Sequence, residues 1–82
     1  ETGLPHIYRH NVREHEVEEV LARPGDDFPS RDGTRTVDGQ TDAGRYLQVV
    51  YVREEDGILV LTAYDLRGKP LAAYRRRRRR KG

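Results

Sequence analysis

Six consecutive arginines, Arg75, Arg76, Arg77, Arg78, Arg79 and Arg80, followed by Lys81, are the residues whose type and spacing point most directly to chemistry. Together with Tyr74 they form a candidate nucleic-acid-binding segment. A run of like charge repels itself and gains free energy by neutralising phosphates, because every phosphate contact releases condensed counterions. The run holds seven of the sixteen basic residues; the nine that remain face fourteen carboxylates, which leaves the rest of the chain at −5. A basic terminus also serves as a solvated tail, a membrane-surface contact or a segment ordered by an acidic partner, and these readings stand beside the first.

The second set of candidate residues concerns RNA cleavage. There the nucleophile is the 2′-hydroxyl of the substrate, so the protein has to supply cations for a pentavalent phosphorane, a group that takes a proton and a surface that splays the nucleotides. Arg45, Arg67, Lys69 and Arg75 offer charge, and Tyr64 and Tyr74 offer rings and hydroxyls. The structural alternatives are a turn-flanking Arg45, a strand-end Tyr64 and a Tyr74 that anchors a helix on the sheet. Other chemistries find little support. His6, His10 and His15 lack a convincing third metal ligand, the single serine, Ser30, has no nucleophile elbow, and no glycine-rich loop opens a helix. No cofactor or metal is expected.

The elements that must position these residues follow from period and punctuation. Eighty-two residues without cysteine suit one small domain over residues 1–74, with 75–82 as an arginine-rich C-terminal tail. Asn11 with Glu14 resembles an N-cap and capping box, and Val17, Val20 and Leu21 form one apolar stripe before Pro24-Gly25 ends the helix. Residues 26–33 read as a loop. From residue 34 the period becomes two. Residues 34–40 are expected as a short strand with an irregularity at Asp38-Gly39, residues 41–44 as a turn, and residues 45–54 and 58–65 as a hairpin around Asp56-Gly57. A two-residue loop there would put Tyr46, Val50, Val52, Leu59, Leu61 and Ala63 on the greasier face, where the helix is expected to pack. Residues 66–70 read as a turn, and Leu71 opens a second short helix that runs into the arginines. No apolar run reaches the roughly 20 residues of a membrane span, and the polar N-terminus lacks a signal-peptide stretch, so a cytoplasmic protein with no membrane partner is expected.

The segments His10-Asn11-Val12, Glu16 to Leu21, Gly39-Gln40-Thr41, Gly44 to Tyr51 and Ile58 to Ala63 together resemble the small BrnT-like toxins and their relatives in the RelE/ParE superfamily. The resemblance covers most of the chain. It implies an α+β domain with an N-terminal helix packed on a small twisted, mainly antiparallel sheet, and a toxin-antitoxin endoribonuclease held by a small antitoxin protein. On that likeness Gly44-Arg45 matches the "GR" before the central strand and Thr62-Ala63 the "TA" ending the next. Arg67, Lys69, Tyr74 and Arg75 correspond loosely to the basic and tyrosine positions that follow. The toxins continue into a long charged helix, whereas this chain carries Gly68 and Pro70 at that point, which bears on catalysis more than on fold. A non-catalytic nucleic-acid-binding module with an arginine tail is the alternative.

Overall fold

The computed structural model describes residues 11–81, with side chains through residue 79. In chain order the elements are helix α1 (Glu14–Ala22), strand β1 (Asp26–Pro29), a short 3₁₀ turn (Arg31–Gly33), strands β2 (Arg35–Gln40), β3 (Tyr46–Glu54) and β4 (Gly57–Asp65), and helix α2 (Gly68–Lys81). The strands form one antiparallel sheet in the order β1-β2-β3-β4. The fold is therefore α+β, with α1 on the sheet as expected.

Helix α1 starts later than the Asn11 cap predicts. Asn11 has φ of 62°, a left-handed conformation that asparagine tolerates, and the cap position falls to Arg13. Arg13 N–H donates to Glu16 Oε1 at 2.9 Å, so a glutamate at the third helical position satisfies an N-terminal donor. Residues 26–33, expected as a loop, contain β1 and the 3₁₀ turn: Asp26 to Pro29 pair with Asp38 to Arg35, an edge strand whose apolar content is too low to signal itself.

The core lies on the other face of the sheet from the one anticipated. Val12, Val17 and Val20 pack against Val37, Leu47, Val49, Tyr51 and Ala63, with Leu21 and Val60 partly buried around them. Each valine so enclosed contributes on the order of 1.5–3 kcal/mol. Of the six residues assigned to the core face, Ala63 alone joins this cluster, while Leu59 and Leu61 remain 45% and 38% exposed.

Two causes explain the difference. The hairpin loop is Glu55-Asp56, with Glu54 opposite Gly57, and a bulge at Leu61 then shifts the register: Tyr51 faces Val60, but Val50 faces Thr62 and Val49 faces Ala63. One extra residue moves the rest of β4 to opposite faces. The second cause is β2, which sets Val37 beside Val49 and Gly39 beside Leu47. A Cβ on Gly39 would sit 2.9 Å from Val20 Cγ1, so the missing side chain is what lets α1 settle there. Asp38-Gly39 is consequently regular ladder rather than an irregularity.

Candidate nucleic-acid interface

Gly68 adopts φ of +63° and redirects the chain out of β4 into α2, which includes Lys69 and Pro70 in its first turn instead of leaving them in a loop. The helix spans 14 residues and carries the arginines as part of a continuous element. Its basic end coincides with the negative pole of the helix dipole, a favourable placement.

A buried aromatic side chain anchors α2 to the domain. Tyr74 is 5% exposed and its ring meets Tyr46 edge-on, with centroids 6.0 Å apart and planes at 72°. It also closes onto Gly25, where a Cβ would fall 2.0 Å from the Tyr74 hydroxyl oxygen. Burial pushes the Tyr74 hydroxyl above its ordinary value, against the pull of Arg78. The same tyrosine pair organises the arginines: the Arg75 guanidinium lies 5.1 Å from the Tyr46 ring centroid and that of Arg78 5.9 Å from the Tyr74 centroid. One turn on from Tyr74, Arg77 pairs with Asp26 at 2.7 Å.

Between α2 and the β2–β3 turn lies an open cleft of about 990 Å³, lined by Arg75, Arg78, Arg79, Tyr46, Tyr74 and Arg23 among others. Among the described residues Asp42 is the one carboxylate in its wall, and it is paired with Arg23. Among the described residues, Arg75, Arg76, Arg78 and Arg79 have no carboxylate partner. Chemically the arrangement is a row of exposed guanidinium groups, two of them over aromatic rings, which suits phosphates and stacked bases. The side chains of Arg80 and Lys81 lie outside the described residues.

Of the residues put forward for RNA cleavage, Arg45, Arg67, Lys69 and Tyr64 do not converge. Arg45 donates to Asp65 Oδ1 at 2.8 Å, to Glu16 Oε1 at 2.9 Å and to the Asn11 carbonyl at 2.9 Å, tying the start of α1 to β3 and β4. Arg67 pairs with the second oxygen of the same Asp65 at 2.9 Å. Lys69 is exposed in the first turn of α2. Tyr64 stands opposite Gln48, on the face of the sheet away from Leu47 and Asp65, and its hydroxyl donates to Gln48 Oε1 at 2.7 Å. Alternation along β4 thus puts Tyr64 and Asp65, with its two arginines, on opposite sides.

Tyr64 belongs to a polar row across the whole sheet. Gln48 Nε2 donates to Asp38 Oδ1 at 2.8 Å, and Asp38 faces Asp26, the partner of Arg77. The row joins β4 to α2. Reading the sequence missed Tyr46, Gly25 and Asp26 as parts of this interface: Tyr46 looked like core, and Gly25 like a helix stop. His15 is exposed on α1, whereas His6 and His10 lie outside the described residues.

Comparison with known proteins gives no matching family model, curated relative or solved structure. No described helix is long and apolar enough to cross a membrane.

Proposed function

We propose that this chain is a nucleic-acid-binding module whose reading head is helix α2 with the adjoining tyrosine-lined cleft. The observation that carries the reading is the anchored arginine helix: Tyr74 holds it on Gly25 and Tyr46, while Arg75, Arg76, Arg78 and Arg79 keep their charges without carboxylate partners among the described residues. A solvated tail needs no such anchor. RNA in the cytoplasm is the favoured ligand, because exposed single-stranded bases are what ring and guanidinium surfaces recognise.

Binding is favoured over cleavage by the placement of the cations. Arg45 and Arg67 share Asp65, and Tyr64 stands across the sheet from them, so a phosphorane at either site would meet only part of the set. Fluorescence anisotropy with a defined single-stranded RNA and a DNA duplex tests the proposal. With about four to six phosphates neutralised, the log–log salt slope on duplex is expected near −4 to −5, and shallower on single strands. Replacing Arg75, Arg76, Arg78 and Arg79 with glutamine flattens it. A slope unchanged by that substitution would refute the assignment, and RNA cut to a 2′,3′-cyclic phosphate by the wild type would restore the toxin-like ribonuclease, together with its antitoxin partner.

A further inference from the structure

The two edges of the sheet are built differently. β1 is four residues long and carries Asp26, Asp27 and Pro29, the features that discourage a second chain from adding on. β4 is nine residues long, and from Ile58 to Tyr64 it contains no charge and no proline, the bulge at Leu61 being its one irregularity. Ile58, Leu59 and Leu61 on it are 41%, 45% and 38% exposed. Among the described residues nothing pairs with its outer edge. An uncharged apolar edge of this length is a template for another strand.

The ends of β4 indicate which strand. One end runs into the exposed acidic turn Glu54-Glu55-Asp56, and the other into Lys69 and Arg67, which are exposed, Arg67 also reaching Asp65 of its own strand. Leu61 lies midway, six residues from both Glu55 and Arg67 (61 − 55 = 67 − 61 = 6). Two copies of β4 running antiparallel about their midpoint therefore bring the acidic turn of each copy to the basic end of the other. A parallel pair would set acid on acid. We infer that β4 is a self-association edge, and that the protein forms a two-fold dimer by antiparallel β4–β4 pairing with Glu55 and Arg67 of opposite copies as neighbours. This is independent of nucleic-acid binding, which uses α2.

Sedimentation equilibrium of the nuclease-treated full chain, over a concentration range reaching several hundred micromolar, tests the dimer. Leu59→Lys and Leu61→Lys are expected to leave a monomer, with the far-ultraviolet circular dichroism of the wild type, since both residues are outside the core. Arg67→Glu is expected to weaken the dimer by roughly tenfold or more, because two symmetry-related attractions become repulsions. Glu55→Arg in the same chain should restore most of that loss. A wild type that stays monomeric overturns the inference. So does a dimer that survives both lysine substitutions, or one that the double charge exchange weakens further.

Discussion

Asp26 and Asp38 stand directly opposite each other across β1 and β2, and Arg77 of α2 pairs with the outer of the two. Facing carboxylates repel, and Asp38 is 3% exposed. Its carboxyl is held above the ordinary aspartate range, first by burial and further by Asp26, with Gln48 and Arg77 opposing. Because the folded state holds this proton more tightly than the unfolded chain, the Asp38 contribution is most favourable below about pH 4. It diminishes as pH rises through the folded pKa. Asp38→Asn keeps an acceptor for Gln48 and removes the charge. Urea unfolding at several pH values should show it more stable than wild type near pH 7, by about 0.5–1 kcal/mol, with the gain vanishing in acid.

Arg45 supplies the opposite pH dependence. Its hydrogen bond is the main reason that Asp65 is held below the ordinary range, with burial opposing and Arg67 assisting. For Glu16 burial acts upward, and the hydrogen bonds from the Arg13 N–H and from Arg45 outweigh it. The stability from both carboxylates is present above their unfolded values, and is lost as pH falls through the folded ones. Arg45→Ala leaves two half-buried carboxylates short of a cation, so a loss of about 1–3 kcal/mol is expected at pH 7, shrinking in acid. Chemical denaturation across pH measures it. RNA affinity at 20 °C should change little.

Val20→Asp and Leu61→Asp distinguish the two faces of the sheet. Val20 is sealed against Gly39, so an aspartate there should unfold the domain, and collapse of amide chemical-shift dispersion would report it. Leu61, on the bulge, should accept the same change with a cost below about 1 kcal/mol.

The α+β class, α1 and the β3–β4 hairpin could be read from the sequence because helical and strand periods are local. The core face could not. It depended on the unpaired Leu61 in the register and on Gly39 at the contact with Val20, and neither a bulge nor a close approach of two elements has a local signature. The arginine run was evident at once, whereas its anchor was not: Tyr74 meets Gly25 across nearly 50 residues, a contact that only the folded chain creates. Arg45 shows the converse case, a residue of catalytic type whose charge is committed to Asp65 and Glu16.

Gly25→Val and Tyr74→Ala test that anchor from its two sides. A Cβ at Gly25 needs the space that the Tyr74 hydroxyl fills, and truncation of the ring removes the contact altogether. Either change should detach α2 while α1 and the sheet persist. Hydrogen exchange is expected to lose protection across residues 70–79 alone. A loss spread over the β3 amides would mean that α2 is integral to the domain.

Three pairs of arginines within residues 75–79 (75/78, 76/79 and 75/79) fall at i,i+3 or i,i+4 in α2, the spacings at which like charges repel by about 0.2–0.5 kcal/mol each. Summed, that opposes the helix by roughly 0.6–1.5 kcal/mol, with the dipole and the Tyr74 anchor acting against it. A polyanion removes the repulsion, so binding and helix stability must be linked. Saturating single-stranded RNA is expected to raise the melting temperature and deepen the ellipticity at 222 nm, both effects fading with added salt. The chain ending at Tyr74 should show neither. If RNA binds with the expected salt slope yet leaves the melting temperature and ellipticity of the full chain unchanged, the arginines bind as a helix already stable by itself, and the repulsion argument fails.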